Sequence, residues 1–162
     1  MNNTNKDIVK TTPFDFYGKG TVLGVLGGLG MAIIAVAASG SESIASSFLK
    51  YILLIPFLLF GLVQLRNTYL KGPFFKEGIA FGAYTSFIAA IAFVTINFMT
   101  IGAGLREAEK FSYEAESFAD VVGYQGVNFF EIMGLGLILT FICLQLLKFT
   151  GVNDDARKPV VE

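Results

Sequence analysis

Four long runs of apolar residues alternate with polar segments along the chain. The runs cover residues 21–38, 48–65, 79–99 and 129–149. A run of about 20 apolar residues is what an α-helix needs to cross the hydrocarbon core of a bilayer, where its backbone groups can bond only to one another. We therefore predict an all-α membrane protein, a four-transmembrane-helix bundle within residues 21–149, with a polar segment at 1–20 and a polar tail at 150–162.

Two local features qualify this prediction. Ala37, Ala38 and Ser39 could serve as the cleavage site of a secretory signal, but the first run has 18 residues, so we favour a retained span. Pro56 lies in the middle of the second run and frees one backbone carbonyl, which predicts a kink in that span.

The distribution of Lys and Arg predicts the orientation, because the side richer in them stays in the cytoplasm. With four spans, nine of the twelve fall on the side of the two termini and three on the other side. The nine are Lys6, Lys10, Lys19, Arg66, Lys71, Lys76, Lys148, Arg157 and Lys158, and the three are Lys50, Arg106 and Lys110. We therefore expect both termini to be cytoplasmic, as in a multi-pass protein of a bacterial inner membrane.

The connector between the third and fourth runs has helical periodicity over residues 105–122. One face carries Leu105, Ala108, Phe111, Ala115, Phe118 and Val122, and acidic residues are frequent on the rest. The pattern predicts an acidic amphipathic helix that lies along the outer membrane surface or covers a neighbouring protein. Its candidate partner face consists of Glu107, Glu109, Glu114, Glu116 and Asp120. Gly123 and Gly126 are then expected to turn the chain into the last span.

Composition excludes several classes of function. Charged residues make up 15% of the chain and the net charge is −1, so the clustered basic surface that nucleic acids need is missing. There is no His, and Cys143 is the only cysteine, which argues against a disulfide and against haem, zinc or triad chemistry. We expect no enzymatic activity, no metal and no cofactor.

Small residues recur every four positions in the first run. Gly20, Gly24, Gly28 and Ala32 form this glycine-zipper spacing, and Gly27 widens the groove. Such spacing lets two helix backbones approach closely. The face could dock another protein or a second copy, or it could pack against a helix of the same chain, and we favour packing within the chain.

Polar residues inside the runs are few. Glu131 is the only acid, and its position near the outer end of the fourth run favours an interfacial carboxylate over a proton-handling group. Thr85, Ser86 and Asn97 could line a small-molecule path together with Glu131. Hydrogen bonds between helices, worth about 0.6 kcal/mol each on average, account for them as well, and we favour this structural explanation.

The segment KGPFFKEGIAFGAYTSFIAAIAFVTINF, residues 71–98, resembles the third-span region of an uncharacterised family of small bacterial four-span membrane proteins. Gly78, Phe81 and Gly82 match the glycine, phenylalanine and glycine that open that span in the family. The resemblance implies a small inner-membrane protein and carries no catalytic residue. Four-span multidrug exporters match less well, because the glutamate of their first span has no counterpart in residues 21–38.

Two functional hypotheses follow from these patterns. The first is an accessory or structural subunit that packs against other membrane protein subunits, or against itself, through the first span and the acidic outer helix. The alternative is a small solute or ion carrier or channel, possibly oligomeric. A lipid-modifying enzyme is a third class, but clustered His, Asp or Arg at the interface are missing.

Overall fold

The computed structural model describes residues 13–37, 50–68, 74–104 and 118–155, and this part of the chain is almost entirely helical. Its four helices are α1 (Pro13–Ala37), α2 (Leu54–Thr68), α3 (Phe74–Gly102) and α4 (Phe118–Asp155). A separate helical turn at residues 50–52 precedes α2. The break between them is at Leu53, three residues before Pro56, where the proline ring disfavours a continuous helix.

Three stretches within the described residues are long and apolar enough to cross a membrane. They are Phe16–Ala37, Phe74–Gly102 and Phe118–Lys148. The chain is therefore a multi-pass α-helical membrane protein. Helix α2 has 15 residues and is about 22 Å long at 1.5 Å per residue, against a hydrocarbon core of about 30 Å. The predicted second span, 48–65, remains a prediction.

Helix α1 begins before the apolar run that predicted it, and α3 extends beyond its run at both ends. Helix α1 begins at Pro13, a residue suited to a first helical turn because its missing N–H would have no partner there. Helix α3 ends at Gly102, and Gly104 follows in the left-handed region at φ 69°. The Gly104 amide donates to the carbonyl of Ile101 at 3.0 Å. A glycine in this conformation ends a helix without the steric cost of a Cβ.

Helices α1 and α3 run parallel and pack through the small residues of α1. A Cβ added to Gly24 would lie 2.7 Å from the carbonyl oxygen of Thr85, and one added to Gly28 would lie 2.6 Å from that of Ala89. Gly20 lies against the same face of α3, and Ala32 is buried. Only residues without a side chain beyond Cβ permit such an approach of two backbones.

Aromatic side chains hold the two helices together near the start of α1. The Tyr17 and Tyr84 rings meet edge to face with centroids 5.1 Å apart, and Phe16 meets Phe81 in the same way at 5.3 Å. The hydroxyl groups of Thr21 and Tyr84 share a hydrogen bond of 2.8 Å. These contacts fix the register of α1 against α3 on the N-terminal side of Gly24 and Gly28.

Helices α3 and α4 run antiparallel in a single register. The paired positions are Gly78 with Leu144, Gly82 with Thr140, and Gly136 with Ser86. At two of these pairs, a glycine on one helix accommodates a hydroxyl side chain of the other. Helix α2 fills the groove between α1 and α4, since Gly27 contacts Leu54 and Phe57 and Gly136 contacts Leu54.

The apolar core has two parts that follow one another along the helices. The larger part surrounds Leu54, Leu58, Phe93 and Ile132, and the smaller one surrounds Phe81, Leu62 and Leu144. Large apolar side chains also cover the outside, including Val22, Ile33, Phe60, Phe130 and Leu146. An exterior of this kind is expected where lipid replaces water.

The turn expected at Gly123 and Gly126 is wrong, because α4 continues through both glycines from Phe118. Residues 118–122 of the predicted outer amphipathic helix are the first turn of α4, and residues 105–117 lie outside the described part. Helix α4 also continues to Asp155 and so includes the first six residues of the segment predicted as a polar tail. Backbone hydrogen bonding over a long apolar helix outweighs the helix cost of about 1 kcal/mol per glycine.

Candidate functional site

Polar side chains from three parts of the chain meet near the C-terminal end of α3 and the N-terminal part of α4. We call this set the polar end; it consists of Lys50, Tyr51, Asn97, Gln125, Asn128 and Glu131. Lys50 is 7% exposed, and Asn97, Gln125 and Asn128 are 2–3% exposed. Burial of four polar side chains, one of them charged, is costly unless hydrogen bonds compensate for lost water.

Local structure places these groups side by side. Gln125, Asn128 and Glu131 are spaced three residues apart on α4, so neighbouring members lie on the same side of the helix. Lys50 and Tyr51 belong to the helical turn that is separated from α2 at Leu53.

Two adjacent hydrogen bonds tie this turn to α4. Nζ of Lys50 donates to Oδ1 of Asn128 at 3.3 Å. The Tyr51 hydroxyl donates to Oε2 of Glu131 at 2.5 Å, a short distance typical of a bond to a carboxylate. Glu131 is exposed as a residue, whereas Lys50 is buried.

Aromatic rings surround the buried ammonium group. Nζ of Lys50 lies 5.0 Å from the centroid of the Tyr51 ring and 5.6 Å from that of Phe93. A cation within about 6 Å of an aromatic face is attracted by the electrons of the ring. The buried Lys50 ammonium therefore lies against two aromatic rings as well as the oxygen of Asn128.

A third hydrogen bond joins α3 to α4, from Nδ2 of Asn97 to Oε1 of Gln125 at 3.0 Å. The other ends of two amides have no partner among the described groups. Nε2 of Gln125 and Nδ2 of Asn128 are both buried and donate to nothing. Two buried amide donors of the polar end thus lack an acceptor among the described groups.

The residues of the predicted path are not brought together. Thr85 faces α1 beside Gly20 and Gly24, whereas Ser86 faces α4 beside Gly136. Both hydroxyl oxygens are buried without a partner. Asn97 lies about 16 Å further along α3 at 1.5 Å per residue.

Apolar side chains occupy the level between these two sets of polar residues. Phe93 is 1% exposed and Ile132, on α4, is not exposed at all. In the antiparallel register of α3 and α4, Ile132 and Phe93 lie between the Ser86 level and the Asn97 level. Two buried apolar side chains thus lie between the two groups of residues of the predicted path.

Two partner faces were predicted, the glycine face of the first span and the acidic face of the outer connector, and the structure describes them to different extents. The residues Gly20, Gly24 and Gly28 contact α3, and Gly27 contacts α2, so this face is occupied within the chain. Asp120 is exposed in the first turn of α4. The other acidic positions of the predicted face, Glu107, Glu109, Glu114 and Glu116, lie outside the described residues.

Sequence reasoning missed Tyr51, Gln125 and Asn128 as members of a site, and it treated Lys50, near the outer end of the second run, only as a charge that bears on orientation. One signal was available: polar residues recur every three positions at 125, 128 and 131 in a largely apolar stretch, so neighbouring members share a side of the helix. Their partners on the other segments could not be identified without the register.

The described ranges contain no group of three or more Cys, Asp and Glu side chains placed to hold a metal ion. Comparison with protein-family models, with curated proteins and with solved structures finds no match. The class of the molecule therefore rests on its own helices and side chains: a multi-pass α-helical membrane protein with a buried polar end.

Proposed function

We propose that this chain is an accessory, structural subunit of a larger assembly in a bacterial inner membrane. In this proposal α2, together with the preceding turn, forms the second of four spans, and both termini are cytoplasmic. The protein acts by packing against other subunits and performs no chemistry of its own.

The observation that carries the proposal is the apolar closure of the interior at Phe93 and Ile132. A carrier needs polar groups or water along the whole crossing, since an isolated charge at mid-bilayer costs about 2.5 to 3.5 kcal/mol on the insertion scale. Here close contacts of Gly24, Gly28 and Gly82 with neighbouring helices support a rigid, filled interior. A filled interior favours a role in assembly over a role in transport.

Helix α4 supports the same proposal. Of its most apolar stretch 28% is buried, compared with 44% for α1. Gly123, Gly126 and Gly134 of α4 have no neighbouring side chain within 4 Å of an added Cβ. Much of α4 is therefore available to lipid or to another subunit.

Gentle extraction of the tagged protein from native membranes, followed by native mass measurement, tests the proposal. We expect reproducible copurification of at least one other membrane protein in a fixed ratio. A lone monomer that is monodisperse in several mild detergents contradicts it.

The alternative, a small carrier or channel, makes a different prediction in liposomes. Flux of an ion or solute that disappears in Ser86→Ala and Glu131→Gln variants would establish the alternative. Absence of flux for broad ion and solute panels, together with copurification, supports the structural role.

A further inference from the structure

The register of α3 against α4 fixes the level of Glu131 along the bundle. On one side of Glu131, Gly136 lies against Ser86. On the other side, Asn97 donates a hydrogen bond to Gln125 at 3.0 Å. Both pairs follow the same antiparallel register, because eleven residues separate their members on each helix. The level of Glu131 is therefore defined by contacts before and after it.

This level is far from the end of the third apolar run. In the register of α3 and α4, Glu131 is level with Ile91. Ile91 lies eight residues before the end of the run 79–99, which is about 12 Å at 1.5 Å per residue. The hydrocarbon core is about 30 Å thick, so its middle is about 15 Å from either surface. The register thus favours a deeper position for Glu131 than the interfacial one that the run 129–149 predicts.

Glu131 belongs to an exposed side of α4, which we call the outer face. Five exposed residues share this side through helical spacing: Val127, Phe130, Glu131, Gly134 and Ile138. Phe130 is 74% exposed. A Cβ added to Gly134 would meet nothing within 4 Å, whereas every other described glycine of the four apolar runs contacts another part of the chain. Gly134 therefore leaves a notch in the outer face that the described helices do not fill.

The carboxylate of Glu131 has capacity for further hydrogen bonds. Within the described ranges it has one hydrogen-bond partner, the hydroxyl of Tyr51, which donates to Oε2. Lys50, on the same turn as Tyr51, donates to Asn128 instead. A carboxylate offers about four acceptor positions on its two oxygens. An ionisable group at membrane depth is unfavourable against lipid and is normally paired.

Charge decides which neighbour suits the outer face. Lipid tails would give the carboxylate of Glu131 neither a hydrogen bond nor an opposite charge. A second copy related by a two-fold axis along the membrane normal would bring two Glu131 carboxylates to the same level, where like charges repel. A membrane helix with a lysine or arginine at this level supplies both the donors and the positive charge.

We propose that the outer face of α4 binds a transmembrane helix of another protein, and that this helix carries a lysine or arginine opposite Glu131. The Tyr51 hydroxyl holds one oxygen of the carboxylate, and the basic side chain donates to the other. An apolar side chain of the same helix fills the notch at Gly134. The proposal rests on the accessory role and names the chemistry of the partner.

Two variants test the two parts of the outer face. Glu131→Gln removes the charge but keeps the size and an oxygen for Tyr51, and Glu77→Gln, the same change in the first turn of α3, is its control. Gly134→Leu fills the notch. Gly18→Leu is its control, because a Cβ added to this exposed glycine of α1 also meets nothing within 4 Å. Melting temperatures in mild detergent show that each variant folds.

The neighbour of the outer face is identified by cross-linking in native membranes. The tagged full chain carries the photoreactive residue p-benzoylphenylalanine in place of Phe130, directly beside Glu131, and the cross-linked peptide is sequenced. We expect a transmembrane segment of a different protein, with a lysine or arginine within one helical turn of the cross-linked residue. Copurification of that protein should fall by about tenfold or more in Glu131→Gln and Gly134→Leu. It should be unchanged in Glu77→Gln and Gly18→Leu.

Several results overturn the proposal. They are a cross-link to a second copy of the chain, a cross-link to lipid alone, a partner segment without a basic residue near the cross-link, or equal copurification with Glu131→Gln and Glu77→Gln. If Glu131→Gln does not fold, the comparison of Gly134→Leu with Gly18→Leu decides in the same way. A partner that still copurifies in a fixed ratio after any of these results keeps the accessory role. Absence of every partner contradicts both proposals.

Discussion

Lys50 and Asn128 are 78 positions apart in the sequence, yet the ammonium of one donates to the side-chain oxygen of the other at 3.3 Å. This bond joins the turn before α2 to the third turn of α4. Both side chains are buried. Burial of the Lys50 charge with a hydrogen-bond acceptor therefore depends on the correct placement of this turn against α4.

Replacement of Asn128 by leucine should destabilise the protein, because Lys50 then loses an acceptor while it remains buried. The expected loss is about 1.5 to 3 kcal/mol, the range for hydrogen bonds to charged groups. Thermal unfolding of the purified protein in mild detergent measures it. Gln145→Leu is the control at a partly buried position, and an equal loss in both variants would contradict this role of Asn128.

Gly28→Ala should destabilise the protein, because the new methyl group would lie 2.6 Å from the carbonyl oxygen of Ala89. Overpacking of this kind costs typically about 1 to 3 kcal/mol. Gly134→Ala is the matched control, because the methyl group that it adds meets nothing within 4 Å. This variant should stabilise α4 by up to about 1 kcal/mol through helix propensity.

Comparison of the melting temperatures of these two alanine variants is the check. The close α1–α3 approach predicts shifts of opposite sign. Shifts of the same sign would show that Gly28 does not lie at a tight contact.

Ser86→Ala removes a buried hydroxyl that has no hydrogen-bond partner. We expect unchanged or slightly raised stability, by up to about 1 kcal/mol, because the cost of an unmade bond disappears. Ser86→Thr should lower stability, since the added methyl group enlarges a side chain that already contacts Gly136. Unfolding by heat compares the pair, and a marked loss in Ser86→Ala would reveal a bonding role for the hydroxyl.

Tyr51 and Glu131 should be energetically coupled through their hydrogen bond of 2.5 Å. A double-mutant cycle with Tyr51→Phe and Glu131→Ala should give a coupling free energy of about 0.5 to 3 kcal/mol. Tyr84→Phe combined with Glu131→Ala serves as the uncoupled control, because Tyr84 bonds to Thr21 instead. Strict additivity of Tyr51 and Glu131 would exclude the contact.

Cysteine labelling tests the proposed orientation. Cys143 is buried and can be replaced by alanine to give a cysteine-free background. In that background, Asp120→Cys and Lys76→Cys place single thiols at exposed positions near opposite ends of the helices. With both termini cytoplasmic, a membrane-impermeant thiol reagent should label position 120 in intact cells and position 76 only after permeabilisation. The reverse labelling pattern would show that the orientation is opposite to the proposed one.

The sequence predicted the membrane class and three long apolar helices because burial in lipid requires a pattern that is local in the chain. Residues 21–38, 79–99 and 129–149 each carry this pattern, and helices that could span a membrane include nearly all of each run. The second predicted span, 48–65, stays a prediction. Helix α2 begins only at Leu54, after the break before Pro56, so its length alone does not show whether this segment crosses the membrane.

The site could be predicted only in part, because its pairings depend on helix register. Asn97 and Glu131 were candidates from their polarity alone, but as members of a path with Thr85 and Ser86. Sequence spacing cannot show that Thr85 and Ser86 face different neighbours. The expected turn at Gly123 failed because glycine only weakens a helix, and a long helix tolerates that cost.

The parallel pairing of α1 with α3 has a consequence for biosynthesis. Gly28 meets Ala89, so the tightest backbone contact joins segments about 60 residues apart with α2 between them. A ribosome must have translated at least to Phe93 before this contact can close. Until then the glycine-lined groove of the first helix is open in the nascent chain, and insertion factors in the membrane can occupy it only during this interval.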